Sequence, residues 1–196
     1  EHGIEVDEEG FRTELQKQRE TARKDRLSRD ISGWTADLFG ALEAEPTEFV
    51  GYDVTECEGE VLALSDGEEL AQAVATDDGA KEGVLVVLNR TPFYAESGGQ
   101  VADTGVITTK SGAHLKVTSC KKTPKGFYVH TCVLEDGVVQ TGDKVTAVVD
   151  PARRHAIMRN HTAAHLLQKA LREVLGDHVH QAGFFEDGER VRFDFT

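Results

Sequence analysis

The chain has 196 residues, with 22 Lys and Arg against 35 Asp and Glu, for a formal net charge of −13. Its 39% hydrophobic content is enough for one or two packed domains at about 100–200 residues each and is not that of a disordered chain. No apolar run approaches the roughly 20 residues of a membrane span, and no secretory leader pattern is visible. Three cysteines (Cys57, Cys120, Cys132) are too few for a disulfide framework and favour a reducing, cytoplasmic setting.

Acidity alone argues against a nucleic-acid partner, since phosphate contacts need Lys and Arg. The charge is unevenly spread, however. Residues 31–90 hold 14 acids and 2 bases, a net of −12, whereas the last 106 residues are net +1. Lys110, Lys116, Lys121, Lys122 and Lys125 lie close together in that later part. They suit either a phosphate-bearing partner or a solubilising hairpin.

In chain order, residues 7–26 read as a solvated helix with a narrow apolar stripe at Phe11 and Leu15, acids at its start and bases at its end. Residues 27–45 read as a weaker helix around Trp34, Leu38 and Leu42, broken at Glu45-Pro46-Thr47. From 48 to 150, short runs rich in Val, Thr, Phe and Tyr alternate with Gly and Asp turns: FVGYDV, EVLAL, AQAVA, GVLVVLN, GQVADTGVITT, HLKVTSC, GFYVHTCV and KVTAVVD. That spacing predicts an all-β barrel or sandwich, with a hairpin turn at Thr123-Pro124-Lys125-Gly126. Asp150 is a good N-cap and Pro151 a good first residue for a long helix ending at a Gly176 C-cap. HVHQAGFF and RVRFDF then alternate as a hairpin across Glu186-Asp187-Gly188. The expected class is α+β: helical segment 1–45, β-barrel 46–150, and helix plus hairpin 151–196. The Glu1 start and the stop directly after a strand read as a piece of a longer protein.

Three features bear on chemistry. His161 and His165 stand four apart, so on a helix both imidazoles face one way and can converge on a metal ion. The pattern lacks the Glu of a metalloprotease motif, and two helix histidines also serve as internal hydrogen-bond partners. Gly98 and Gly99, before Gln100, allow a tight turn and close approach of another chain or a ligand, or simply form a β-turn before the strand at Val101. Gln181 offers a donor and an acceptor, which suits an ester or amide substrate.

Together and in order, TPFYAESGGQVADTG (91–105), RNHTAAHLLQKALREVLG (159–176) and HVHQAGFFEDGERVRFDF (178–195) resemble the editing domain of bacterial alanyl-tRNA synthetases, and residues 3–23 resemble the stretch before it. The resemblance implies a β-barrel joined to an α/β editing lobe, here truncated. It implies hydrolysis of tRNA(Ala) mischarged with Ser or Gly, the second sieve of an enzyme whose alanine pocket cannot reject close isosteres. It also implies zinc held by His161 and His165 with a later Cys-x3-His, which would lie beyond Thr196. Gln181 would stand at the editing centre, with Gly98, Gly99, Gln100 and Ala164 near the substrate. Where some relatives carry Thr before the second His this chain has Ala164, and Phe184 stands where a small polar residue is frequent; both bear on the serine contacts. ATP and magnesium would belong to the synthetase site of the parent, of which no motif is readable here. The alternatives are a free-standing trans-editing deacylase, a non-catalytic tRNA-binding module in this truncated form, and an unrelated metal-dependent hydrolase. A truncated lobe would leave Phe184, Phe185, Phe193 and Phe195 partly uncovered and prone to self-association.

Overall fold

In the computed structural model the residues described are 38–76 and 79–196. The expected helix at 7–26 lies outside them. Of the weaker helix, only 38–45 is described; it is helical at Leu38 and then turns.

Alternation of apolar and polar residues builds a run of antiparallel strands. β1 (Glu48–Phe49) pairs in parallel with β6 (Arg90–Thr91), and β4 (Ala73–Ala75) pairs with β10 (Val138–Gln140). The body is formed by β2 (Glu56–Ser65), β5 (Lys81–Leu88), β7 (Gly105–Thr109), β8 (His114–Lys122), β9 (Tyr128–Asp136) and β11 (Lys144–Val149), with β3 (Leu70–Ala71) extending β2. The ladder runs β2–β5–β9–β8–β7–β11 and returns to β2, closing a six-stranded barrel. Closure pairs both edges, which removes the open template that a half-buried sheet would otherwise present. The described chain is therefore mostly β with one helix.

The barrel interior holds Val61, Val84, Val86, Leu88, Phe93, Ile107, Leu115, Leu134 and Val145, all essentially inaccessible. Cys57, Cys120 and Cys132 lie in this same core as free thiols. A second cluster outside the wall packs Phe39 against Ala63, Leu85, Val87, Phe127 and Val129, so segment 38–47 covers the outward face of β2, β5 and β9. The turn at 123–126 forms as expected: Gly126 takes φ +88° and its N–H donates to the Thr123 carbonyl at 2.9 Å. Two expected strands are cut short. FVGYDV leaves the ladder after Phe49, and GQVADTGVITT becomes strand only at Gly105, because residues 97–103 fold into the loop described below.

After β11 the chain enters α1 (Pro151–Leu175). The Asp150 carboxylate accepts from the N–H groups of Ala152 and Arg153, at 3.0 and 3.1 Å, and Gly176 closes the other end. β12 (Gln181–Glu186) and β13 (Val191–Phe195) form the hairpin. One stripe of α1, through Ile157, Ala164 and the half-buried Leu171, is covered, while Leu166 (67% exposed) and Val174 (80%) stand in solvent. Among the hairpin phenylalanines, Phe195 is exposed and Phe184, Phe185 and Phe193 are half-buried.

His130 is fully buried in the wall of the barrel. Its Nδ1 donates to the Val86 carbonyl at 2.9 Å, so Nε2 is left as acceptor for the Thr91 hydroxyl at 2.8 Å. Burial disfavours the imidazolium and lowers its pKa from 6.5 to about 4. Between those values the unfolded chain binds a proton that the folded one refuses, so stability is complete above pH 6.5 and falls as pH drops toward 4. The expected loss is roughly 3 kcal/mol at about 1.4 kcal/mol per unit. Thermal melts of the protein and of His130→Asn across that range check this, since the variant loses most of this slope.

Candidate functional site

The loop after β6 is organised by one buried ion pair. Asp103 accepts from the Tyr94 N–H at 2.7 Å and from Arg154, one turn into α1. The Arg154 Nε lies 2.9 Å from each carboxylate oxygen, Nη2 also reaches Oδ2, and Nη1 and Nη2 donate to the carbonyls of Gly51 and Pro92 at 2.6 and 2.7 Å. One guanidinium thus ties together the 50–54 turn, the start of the 92–103 loop and the helix.

Held at its base, the loop turns back at Ser97–Gln100, whose backbones bond each other in both directions. Gly98 (φ +61°) and Gly99 (φ +92°) supply the left-handed turn that L side chains resist. Gly99 also lies against the hairpin: a Cβ there would overlap the Phe184 carbonyl oxygen. The Glu186 N–H donates to the Gly99 carbonyl at 2.9 Å, and the Val101 N–H donates to the Glu186 carbonyl at 3.0 Å. The Asn160 amide adds a bond from α1 to the Asp187 carbonyl at 2.8 Å.

Four residues apart on α1, His161 and His165 stand together on its exposed side, their Nε2 atoms 3.2 Å apart. On the far side of its ring, His161 Nδ1 lies 3.1 Å from Oε2 of the fully buried Glu186. Beside the pair, a cleft of about 480 Å³ opens between barrel and helix. Phe49, Tyr52, Tyr94 and Gln100 line one wall, and His155, Met158 and His161 the other. Phe49 stacks on Tyr128 at 5.5 Å and meets Tyr52 edge-on at 5.0 Å; Tyr52 is 84% exposed at the mouth. Burial pushes the Tyr94 hydroxyl above its ordinary pKa, so it remains a neutral donor.

Of the residues singled out from sequence, His161 and Gln100 line one cleft, His165 adjoins His161, and Gly98 and Gly99 form the turn that leads into Gln100. Ala164 is buried on the covered stripe of α1 and is not part of the cleft lining. Gln181 is exposed at the other end of β12, on the order of 15 Å of strand from Glu186. Of the lysines, Lys125 is tied to the Gly40 carbonyl and Lys122 sits over the Tyr128 ring at 5.2 Å. Asp103, Arg154 and Glu186 were not evident from sequence. Charged residues in a turn and in a helix start look solvated until the fold buries them.

The family model for class II (A) tRNA synthetases matches residues 1–153. The chain belongs to that family. It is 46% identical over 197 residues to the alanine–tRNA ligase of Acetivibrio thermocellus, 47% to that of Thermoanaerobacter pseudethanolicus, and 44% over 196 residues to that of Rhizobium meliloti. These matches cover 99–100% of this chain but only 21–22% of each relative. The synthetase family match ends at Arg153, in the first turn of α1, whereas the ligase matches continue through the histidine pair and the hairpin.

Arg154→Met leaves Asp103 buried without its cation, and is expected to cost roughly 3–5 kcal/mol. Gly99→Ala spares the barrel but undocks the hairpin. Hydrogen exchange reads this as faster amide exchange at Glu186 and Val101 with β5 and β9 unchanged; slow exchange throughout would refute the clamp.

Proposed function

We propose that this segment is the aminoacyl-ester hydrolysis site of a cytoplasmic alanine–tRNA ligase, clearing tRNA(Ala) mischarged with Ser or Gly. The observation that carries the reading is the histidine pair on the rim of an aromatic cleft whose other wall bears Gln100. Matches to alanine–tRNA ligases over the whole of this chain, including the stretch before the barrel, favour this over a free-standing deacylase. The parent would charge alanine with ATP and magnesium at a site outside this chain.

The donor set fits zinc. Tetrahedral zinc with Zn–N distances of 2.0–2.1 Å holds two ligand nitrogens about 3.3 Å apart, and the Nε2 atoms stand at 3.2 Å. Glu186 on Nδ1 of His161 is the outer partner that ligating histidines usually have. Among the described residues no third His, Cys, Asp or Glu joins them, so further ligands come from other parts of the protein. When bound, the ion polarises an ester carbonyl or a water.

The chain's own residues bind and orient. Phe49 and Tyr52 offer a stacking wall for the terminal base of the RNA, and Gln100 and the Tyr94 hydroxyl offer hydrogen bonds. Gln181, exposed farther along the hairpin and outside the cleft lining, is assigned to the amino-acid end on the family resemblance. A thiol nucleophile is unsuitable: the cysteines lie in the barrel core, and burial pushes Cys57, Cys120 and Cys132 above their ordinary pKa. The uncovered face of α1, with Leu166 and Val174, favours self-association of this chain in isolation.

In the complete ligase, His161→Ala is expected to slow hydrolysis of Ser-tRNA(Ala) roughly 100-fold while alanine charging is unchanged. Tyr52→Ala is expected to weaken tRNA binding for hydrolysis about 5-fold, the lower end of base stacking on an aromatic ring. Hydrolysis at the normal rate in His161→Ala would sink the assignment.

A further inference from the structure

Glu186 is the residue that the other observations leave unexplained. Its side chain is fully buried, Oε2 faces His161 Nδ1 at 3.1 Å, and Oε1 has no hydrogen-bond partner among the described residues. A buried acceptor with half its capacity unused is costly to keep for packing alone. Nor is its direction accidental. The Glu186 N–H and carbonyl are bonded to Gly99 and Val101 while β13 pairs along its other edge, so the glycine turn and the hairpin together set where the carboxylate points.

We propose that Glu186 is a positioning residue that fixes the ring and the tautomer of His161. An ionised carboxylate only accepts, so Nδ1 of a neutral ring must carry the proton and the lone pair is delivered at Nε2. Nε2 is the atom that faces His165 across 3.2 Å. The chain of control runs from the glycine turn, through the Glu186 backbone and carboxylate, to a lone pair aimed at the shared point between two imidazoles. The role in metal binding rests on His161 being a ligand, whereas the tautomer stands independently of it.

Glu186→Leu removes the acceptor, and Glu186→Gln keeps shape and a carbonyl acceptor without the charge. Two readouts separate positioning from folding. In the metal-free 196-residue chain, long-range proton–nitrogen NMR on 15N-histidine at a pH where the ring is neutral reports which nitrogen is protonated. His161 is expected to be Nδ1-protonated, to remain mostly so in Glu186→Gln, and to become a mixture in Glu186→Leu. In the complete ligase, zinc ion titrated against a chromophoric chelator is expected to bind about 10–100-fold more weakly in Glu186→Leu and less so in Glu186→Gln. An unchanged tautomer in both variants overturns the proposal, as does zinc affinity that depends on His161 but is indifferent to Glu186. Should Glu186→Leu not fold, Glu186→Gln decides by the same zinc readout, a loss of at least 3-fold being required. If His161→Ala leaves zinc binding intact while the tautomer follows Glu186, the zinc reading fails and the positioning role stands.

Discussion

The buried pair Arg154–Asp103 holds this molecule in a shape that can have a site at all. A barrel, a helix and a two-stranded hairpin have no intrinsic reason to keep one relative placement, and the helix is covered along only one narrow stripe. Arg154 supplies the missing constraint by binding groups from three separate stretches: the Gly51 carbonyl, the Pro92 carbonyl and Asp103. Such a pair gains little over an apolar substitute in net stability, because desolvation offsets the attraction. Its contribution is directional, since a planar guanidinium accepts few arrangements of its partners.

From that anchor the geometry propagates outward in short steps. Asp103 fixes Tyr94 and the base of the 92–103 loop, and the loop's tip presents Gly99 and Val101 to the hairpin. The Asp150 cap sets the start of the helix and hence the rotation of everything on it, including the face that carries His161 and His165. The placement of the histidine pair relative to the cleft thus depends on polar bonding around the barrel end, with Phe49 joining the cleft wall to the barrel core.

The parts legible in the sequence were those governed by local rules. The Asp150-Pro151 start, the Gly176 stop, the turn at 123–126 and the alternation of the barrel strands are each dictated by residues within a few positions. So is the facing of two histidines four apart. The parts not legible depend on long-range burial. Glu186 in Glu-Asp-Gly has the composition of an exposed turn, and only the docked loop reveals that its side chain points inward. Asp103 sits in a stretch that alternates like a strand, yet Arg154, 51 residues away, draws it out of the ladder. The paired Gly98 and Gly99 mark a close-approach turn in the sequence without saying what approaches. At Gly99 it is the hairpin backbone that does so.

The glycine loop acts on the cleft and on the histidine pair at once. Gln100 lines the cleft, while its neighbours Gly99 and Val101 grip the strand residue whose carboxylate faces His161. Contact with an occupant of the cleft and orientation of the imidazole therefore run through three consecutive residues of one loop. A displacement of that loop by an ångström would disturb both at once, because Gln100 moves with it and both the N–H and the carbonyl of Glu186 are bonded to it, the β13 strand holding Glu186 from its other edge. Of the acids in the −12 stretch at 31–90, Asp53 lines the cleft, while the carboxylates that organise it, Asp103 and Glu186, are buried and turned toward Arg154 and His161.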